Sequence, residues 1–184
     1  MENVINDLKN KEESYKLTCV SAFWKVKNKH GDSYIDWFHN TLKINCPYVF
    51  FGDKESITIV KKYRGVLPTY YIECNFEDFT TYKFKDKMMT HTVHCPSIEL
   101  NLIWNEKVFF VKKALDINPF NSEYFCWIDA GICTYRQKSP PVESFHNENM
   151  LSSVTHENRH GESKRNQSLL YDYLKTLRIP SFCE

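Results

Sequence analysis

The chain has 184 residues, 42% of them apolar and 15% aromatic, which is enough for one domain with a real hydrophobic core. Its 24 basic and 23 acidic residues cancel to a net charge of +1, so no whole-chain field is directed at nucleic acid, an anionic membrane or an acidic partner. The N-terminal MENVINDLKNKEESYK is too polar for a secretory h-region or a membrane span, and seven cysteines are scattered without a Cys-x-x-Cys pair, so a reduced, cytoplasmic protein is expected.

In chain order, a polar arm (1–15) precedes a domain (16–137), which is followed by a polar tail (138–184). KLTCVSAFW is rich in β-branched and aromatic residues and reads as a buried strand. SYIDWFHNTLKIN has Ile35, Phe38 and Leu42 at helical spacing, and beyond Pro47 the apolar YVFFGD reads as a second strand, completing a β-α-β unit. ESITIVKKYRG is helical or extended, and PTYYIECNFEDF suggests an exposed strand with a turn. ELNLIWNEKVFFVKKALDIN predicts a helix ending at Pro119, with Leu102, Ile103, Val108, Phe109, Val111 and Leu115 wrapping most of its circumference. EYFCWID is a further strand, and LLYDYLKTL (169–177) a short amphipathic helix in the tail. This alternation implies an α/β fold with a mostly parallel sheet, helices on both faces, and ligands outside the carboxyl ends of the strands.

At such an end stands Asp129, in YFCWIDAGICTYR, preceded by apolar residues and followed by Ala130 and Gly131, which have no bulk to cover a carboxylate. Asp53, in GDKES after the second strand, is expected at the same crevice; either acid has the alternative of capping a helix or turn. HTVHC brings His91, His94 and Cys95 together, but a zinc site needs a fourth ligand that is not evident, and they read as loop residues. YKFKDKMM carries lysines and aromatics, which fit a solvated amphipathic edge better than a single-stranded nucleic-acid platform. No Gly-x-Gly-x-x-Gly or Walker sequence occurs, so a glycine-rich phosphate loop is not expected.

The run IWNEKVFFVKKALDINPFNSEYFCWIDAGI, with its WNEK, NPF and WIDAG elements, resembles the HtrL/YibB-like family, read as glycosyltransferases. The similarity extends from VSAFW through VFFGD and KKYRG to GICTYRQKSPP. The resemblance implies a Rossmann-like GT-A nucleotide-diphospho-sugar transferase half, moving a sugar from a nucleotide-diphosphate donor to an unknown acceptor hydroxyl. GT-A proteins carry an Asp-x-Asp motif at the end of an apolar strand; here Asp129-Ala130-Gly131 lacks the second acid.

On that resemblance Asp129 is the ligand of a Mn²⁺ or Mg²⁺ ion that bridges the donor phosphates. Lys107 and Arg64 are the cations for the diphosphate, with a solvated helix charge and a surface ion pair as their respective alternatives. Phe23 or Trp24 flanks the nucleobase, unless core packing claims both, and Asp53 hydrogen-bonds base or ribose. The tail shows no recognisable counterpart of the usual acceptor half, and His146, His156, Glu143 and Glu157 are candidate bases by residue type alone. The alternative is therefore a truncated, non-catalytic nucleotide-sugar-binding or interaction remnant of the same fold.

Overall fold

The computed structural model describes residues 14–145. Strand β1 (Leu17–Phe23) is buried along its whole length, as its apolar run predicts. It is followed by α1 (Ser33–Thr41), β2 (Tyr48–Gly52), α2 (Lys54–Arg64), β3 (Thr69–Glu73), α3 (Ile98–Ile117) and β4 (Tyr124–Trp127). ESITIVKKYRG is thus resolved as helical, because Asp53 caps its first turn and Gly65, at a φ of 54°, closes its last. The expected tail helix over 169–177, and His146, His156 and Glu157, lie outside the described residues.

The four strands form one sheet in the order β3-β2-β1-β4, with every neighbouring pair parallel. Alternation along the strands divides the core between its two faces. On one, Cys19, Phe23, Tyr48 and Phe50 pack with Phe38 of α1 and Val60 of α2. On the other, Val20, Val49, Phe51 and Trp127 pack with Leu102, Ile103, Phe110 and Ala114 of α3. Helices therefore cover both faces, and β3, expected to be exposed, is a half-buried edge strand.

Helix α3 is less enveloped than its apolar content suggested: Leu102, Ile103, Phe110 and Ala114 are buried, whereas Val108, Phe109 and Leu115 are exposed. One helix lying on one sheet buries one stripe, whatever residues occupy the rest. Asn118, left-handed at a φ of 38°, ends it one residue before Pro119 and holds Ser122 through both its side-chain oxygen and its amide group.

From β1 the chain moves outward through β2 to β3 and then returns to place β4 on the other side of β1. That reversal sets the topological switch point, the crevice position outside the carboxyl ends of β1 and β4 at which open α/β sheets bind ligands.

Candidate functional site

The β4 register continues one residue past the strand, where Ile128 N donates to Val20 O at 2.8 Å, and delivers Asp129 to the mouth of that crevice. Its Oδ1 accepts from Lys107 Nζ at 2.6 Å and from Trp127 Nε1 at 2.8 Å. Lys107 reaches it from α3, with its ammonium 5.5 Å from the centre of the Trp127 ring. The Lys107 side chain is only 12% exposed while that of Asp129 is 45% exposed, so the sheltered cation faces a carboxylate open to ligand or solvent. Asp129 caps no helix. Lys107 is accordingly a partner of Asp129 and not a solvated helix charge.

Across the crevice, Tyr34 of α1 lies against Gly131, where a Cβ would come within 2.6 Å of its ring. The smallness of Gly131 therefore admits Tyr34, and Ala130 is buried in the core; neither serves simply to leave Asp129 uncovered. Burial and then the Asp129 carboxylate push the Tyr34 phenol above its ordinary pKa, with the Gly131 backbone and Arg136 opposing. Arg136 Nε donates to Gly131 O at 3.2 Å, and its guanidinium lies 4.0 Å from the centre of the Trp37 ring. His30, in the loop after β1, stands edge-on to Trp37 at 4.8 Å. Burial, followed by Arg136 and Lys29, lowers its pKa.

The remaining expected site residues are occupied elsewhere. Asp53 is at the same end of the sheet, but β2 and β4 flank β1 and are not neighbours, and its carboxylate accepts from Ser56 N at 2.8 Å as the cap of α2. Phe23 and Trp24 are buried and do not form a nucleobase platform: Phe23 stacks on Phe38 at 4.2 Å, while Trp24 packs on Phe79 and Phe110 and donates to Cys74 O. Arg64 is neither a phosphate cation nor a surface ion pair. It lies buried at the amino ends of the strands, donating to Leu42 O, Ile44 O, Cys46 O, Pro68 O and Thr69 Oγ1. Glu143 is also at that end, in a segment tied to Asn45 by Val142 O and Phe145 N.

His91 and Cys95 pair through their backbones in a tight turn. Among the described residues no group of three His, Cys, Asp or Glu is arranged to hold a metal ion. At Asp129 a divalent cation would meet one carboxylate whose Oδ1 already faces an ammonium, and at Gly131, where the GT-A resemblance leads one to expect a second acid, Tyr34 fills the space a side chain needs. These residues do not fit a resident Mn²⁺ or Mg²⁺ ion.

A cleft of about 400 Å³ lies beside α3, bordered by Phe51, Cys74, Phe79 and Lys113, away from Asp129. Its buried acid, Glu106, is fully engaged by Thr80 N, Thr81 N and Thr81 Oγ1, so the polar convergence at the β1/β4 crevice is the stronger candidate site. The sequence reading missed Tyr34, Trp37, His30 and Arg136. Arg136 stood in the same GICTYR run as Asp129, but only folding brings α1 against it.

A family model described as a bacterial protein of unknown function (HtrL_YibB) matches residues 71–153. The match begins inside β3 and takes in α3, β4, Asp129 and Arg136, leaving β1, α1, β2 and α2 outside. No curated protein matches the chain, and no solved structure does. No helix among the described residues is long and apolar enough to cross a membrane.

Proposed function

We propose that this chain is a glycosyltransferase of Rossmann-like GT-A type, which takes a sugar from a nucleotide-diphosphate donor and passes it to an acceptor hydroxyl. The supporting observation is Asp129: an open carboxylate at the carboxyl end of a parallel strand, at the point where strand order reverses, fixed by Lys107 and Trp127. Fixing Oδ1 leaves the exposed carboxylate available to accept from hydroxyls of a ribose or sugar. In the transfer, the bond from the anomeric carbon to the diphosphate oxygen breaks and its electron pair leaves with the diphosphate, while the acceptor oxygen bonds that carbon and gives its proton to water. Positive charge near the departing diphosphate lowers this barrier, and Lys107 is the sheltered cation beside Asp129.

A binding-only remnant is the second reading. It is favoured by the packed Gly131 in place of a second acid and by the location of Glu143 at the opposite end of the sheet. Nucleotide release from a panel of UDP- and GDP-sugars, with thermal unfolding in parallel, separates the two. Turnover abolished by Asp129→Ala supports the transferase, whereas ligand stabilisation without turnover supports the remnant. Neither stabilisation nor turnover with any donor would overturn both.

A further inference from the structure

Arg136 differs from every other cation described around the crevice. Its orientation is set by two elements at once, stacking on Trp37 of α1 and donating from Nε to the backbone of the β4 turn. Yet it joins none of the ion pairs among the described residues, and its terminal amino groups make no hydrogen bond there. Arg64, by contrast, has both amino groups occupied. The acids at the start of α1, Asp32 and Asp36, are exposed and do not pair with Arg136. A guanidinium held by its flat face and its Nε presents the fork that matches two oxygens of one phosphate. His30 lies against the same indole with a lowered pKa and adds no charge at neutral pH, while Lys29 is close enough to bear on it, so Arg136 and Lys29 are the cations of this flank.

We propose that Arg136, on its Trp37 shelf, is the seat for a diphosphate in this crevice and supplies the charge neutralisation that a divalent cation would otherwise supply. The proposal rests on the donor reading above and deepens it by naming Arg136, beside Lys107, as the residue that seats the phosphates. Asp129, already paired with Lys107, is then left to the hydroxyls of the ligand. Stacking makes the seat rigid before the anion arrives, which reduces the ordering cost of binding.

Titration calorimetry with inorganic pyrophosphate, UDP and GDP, in EDTA and again with Mn²⁺, tests this on the full chain. Binding should persist in EDTA and weaken as salt rises. Arg136→Gln should weaken it roughly ten- to hundredfold, the loss expected for a charge-assisted pair. Lys138→Gln, the same charge change at an exposed neighbour, should leave it unchanged. Circular dichroism and the unfolding temperature check that each variant folds; if Arg136→Gln does not, Arg136→Lys keeps the charge without the fork and should still weaken binding. Affinity that needs Mn²⁺, survives loss of Arg136, or is absent for all three probes overturns the seat. Arg136-dependent binding of pyrophosphate with no nucleotide-sugar bound keeps the seat and sinks the donor reading, whereas nucleotide-sugar binding indifferent to Arg136 does the reverse.

Discussion

A buried guanidinium has five N–H donors to satisfy, and Arg64 satisfies them without a carboxylate. Its acceptors come from the α1 to β2 connection and from the start of β3, and its flat face lies 4.2 Å from the centre of the Tyr48 ring. Burial lowers its pKa, but carbonyl dipoles on every side hold the charge in place. Arg64→Met should therefore cost about 3–5 kcal/mol in urea unfolding, because it strands several buried carbonyls at once. Arg64→Lys should recover only part of this, since an ammonium cannot span five acceptors. Asp129 and Lys107 form a looser unit. With one partner nearly half exposed, a double-mutant cycle through Asp129→Asn and Lys107→Met should give a coupling of about 1 kcal/mol, well below that of a fully buried pair.

Helix α3 supports the sheet with one stripe, so its tolerance to substitution should follow position and not hydrophobicity. Phe110 packs on Trp24, Phe51, Phe79 and Trp127, and Phe110→Ala should cost about 3–5 kcal/mol. Val108→Ser, on the exposed side of the same helix, should change stability by less than about 0.5 kcal/mol. Helices α1 and α2 meet through His39, which stacks on Tyr63 with ring centroids 3.7 Å apart. Burial lowers the His39 pKa below the ordinary value of 6.5, with Lys43 and Lys62 adding to the shift and Asp36 opposing it. A histidine of depressed pKa takes up its proton more readily in the unfolded chain. Its contribution to stability is therefore full above about 6.5 and is lost as pH falls from there through its lower folded value. Unfolding temperature should drop between pH 7 and pH 5, and His39→Gln should flatten part of that drop.

At the scale of the molecule, the crevice is a consequence of strand order: β4 returning beside β1 separates the loops that follow those strands and sets Asp129 opposite Tyr34 and Arg136. A nucleotide diphosphate bound there as proposed would stabilise the whole cooperative unit. At a nucleotide-diphosphate concentration about a hundred times its dissociation constant, linkage amounts to about 2.7 kcal/mol, a rise of several degrees in unfolding temperature. If Arg136 and Lys107 hold the phosphates, that rise should be the same with EDTA as with Mn²⁺. Thermal scans in the two buffers measure it directly.

Local pattern was enough to read KLTCVSAFW, YVFFGD and EYFCWID as strands and the WNEK segment as a long helix, because buried parallel strands must be continuously apolar and a helix carries its own periodicity and stop. The exposed position of Asp129 at the end of its strand was legible for the same reason. What Phe23, Trp24, Asp53 and Arg64 do was not, since an aromatic in a strand or an arginine at a helix end has the same local signature whether it faces a ligand or the core. Distance along the chain decided those roles. Arg64 finds acceptors on both sides of β2, Lys107 finds Asp129 across a helix and a strand, and Arg136 finds Trp37 only once α1 has packed on the sheet. These partners are separated in sequence and joined by packing, so the pairing of charges, unlike the order of strands and helices, is a property of the tertiary structure alone.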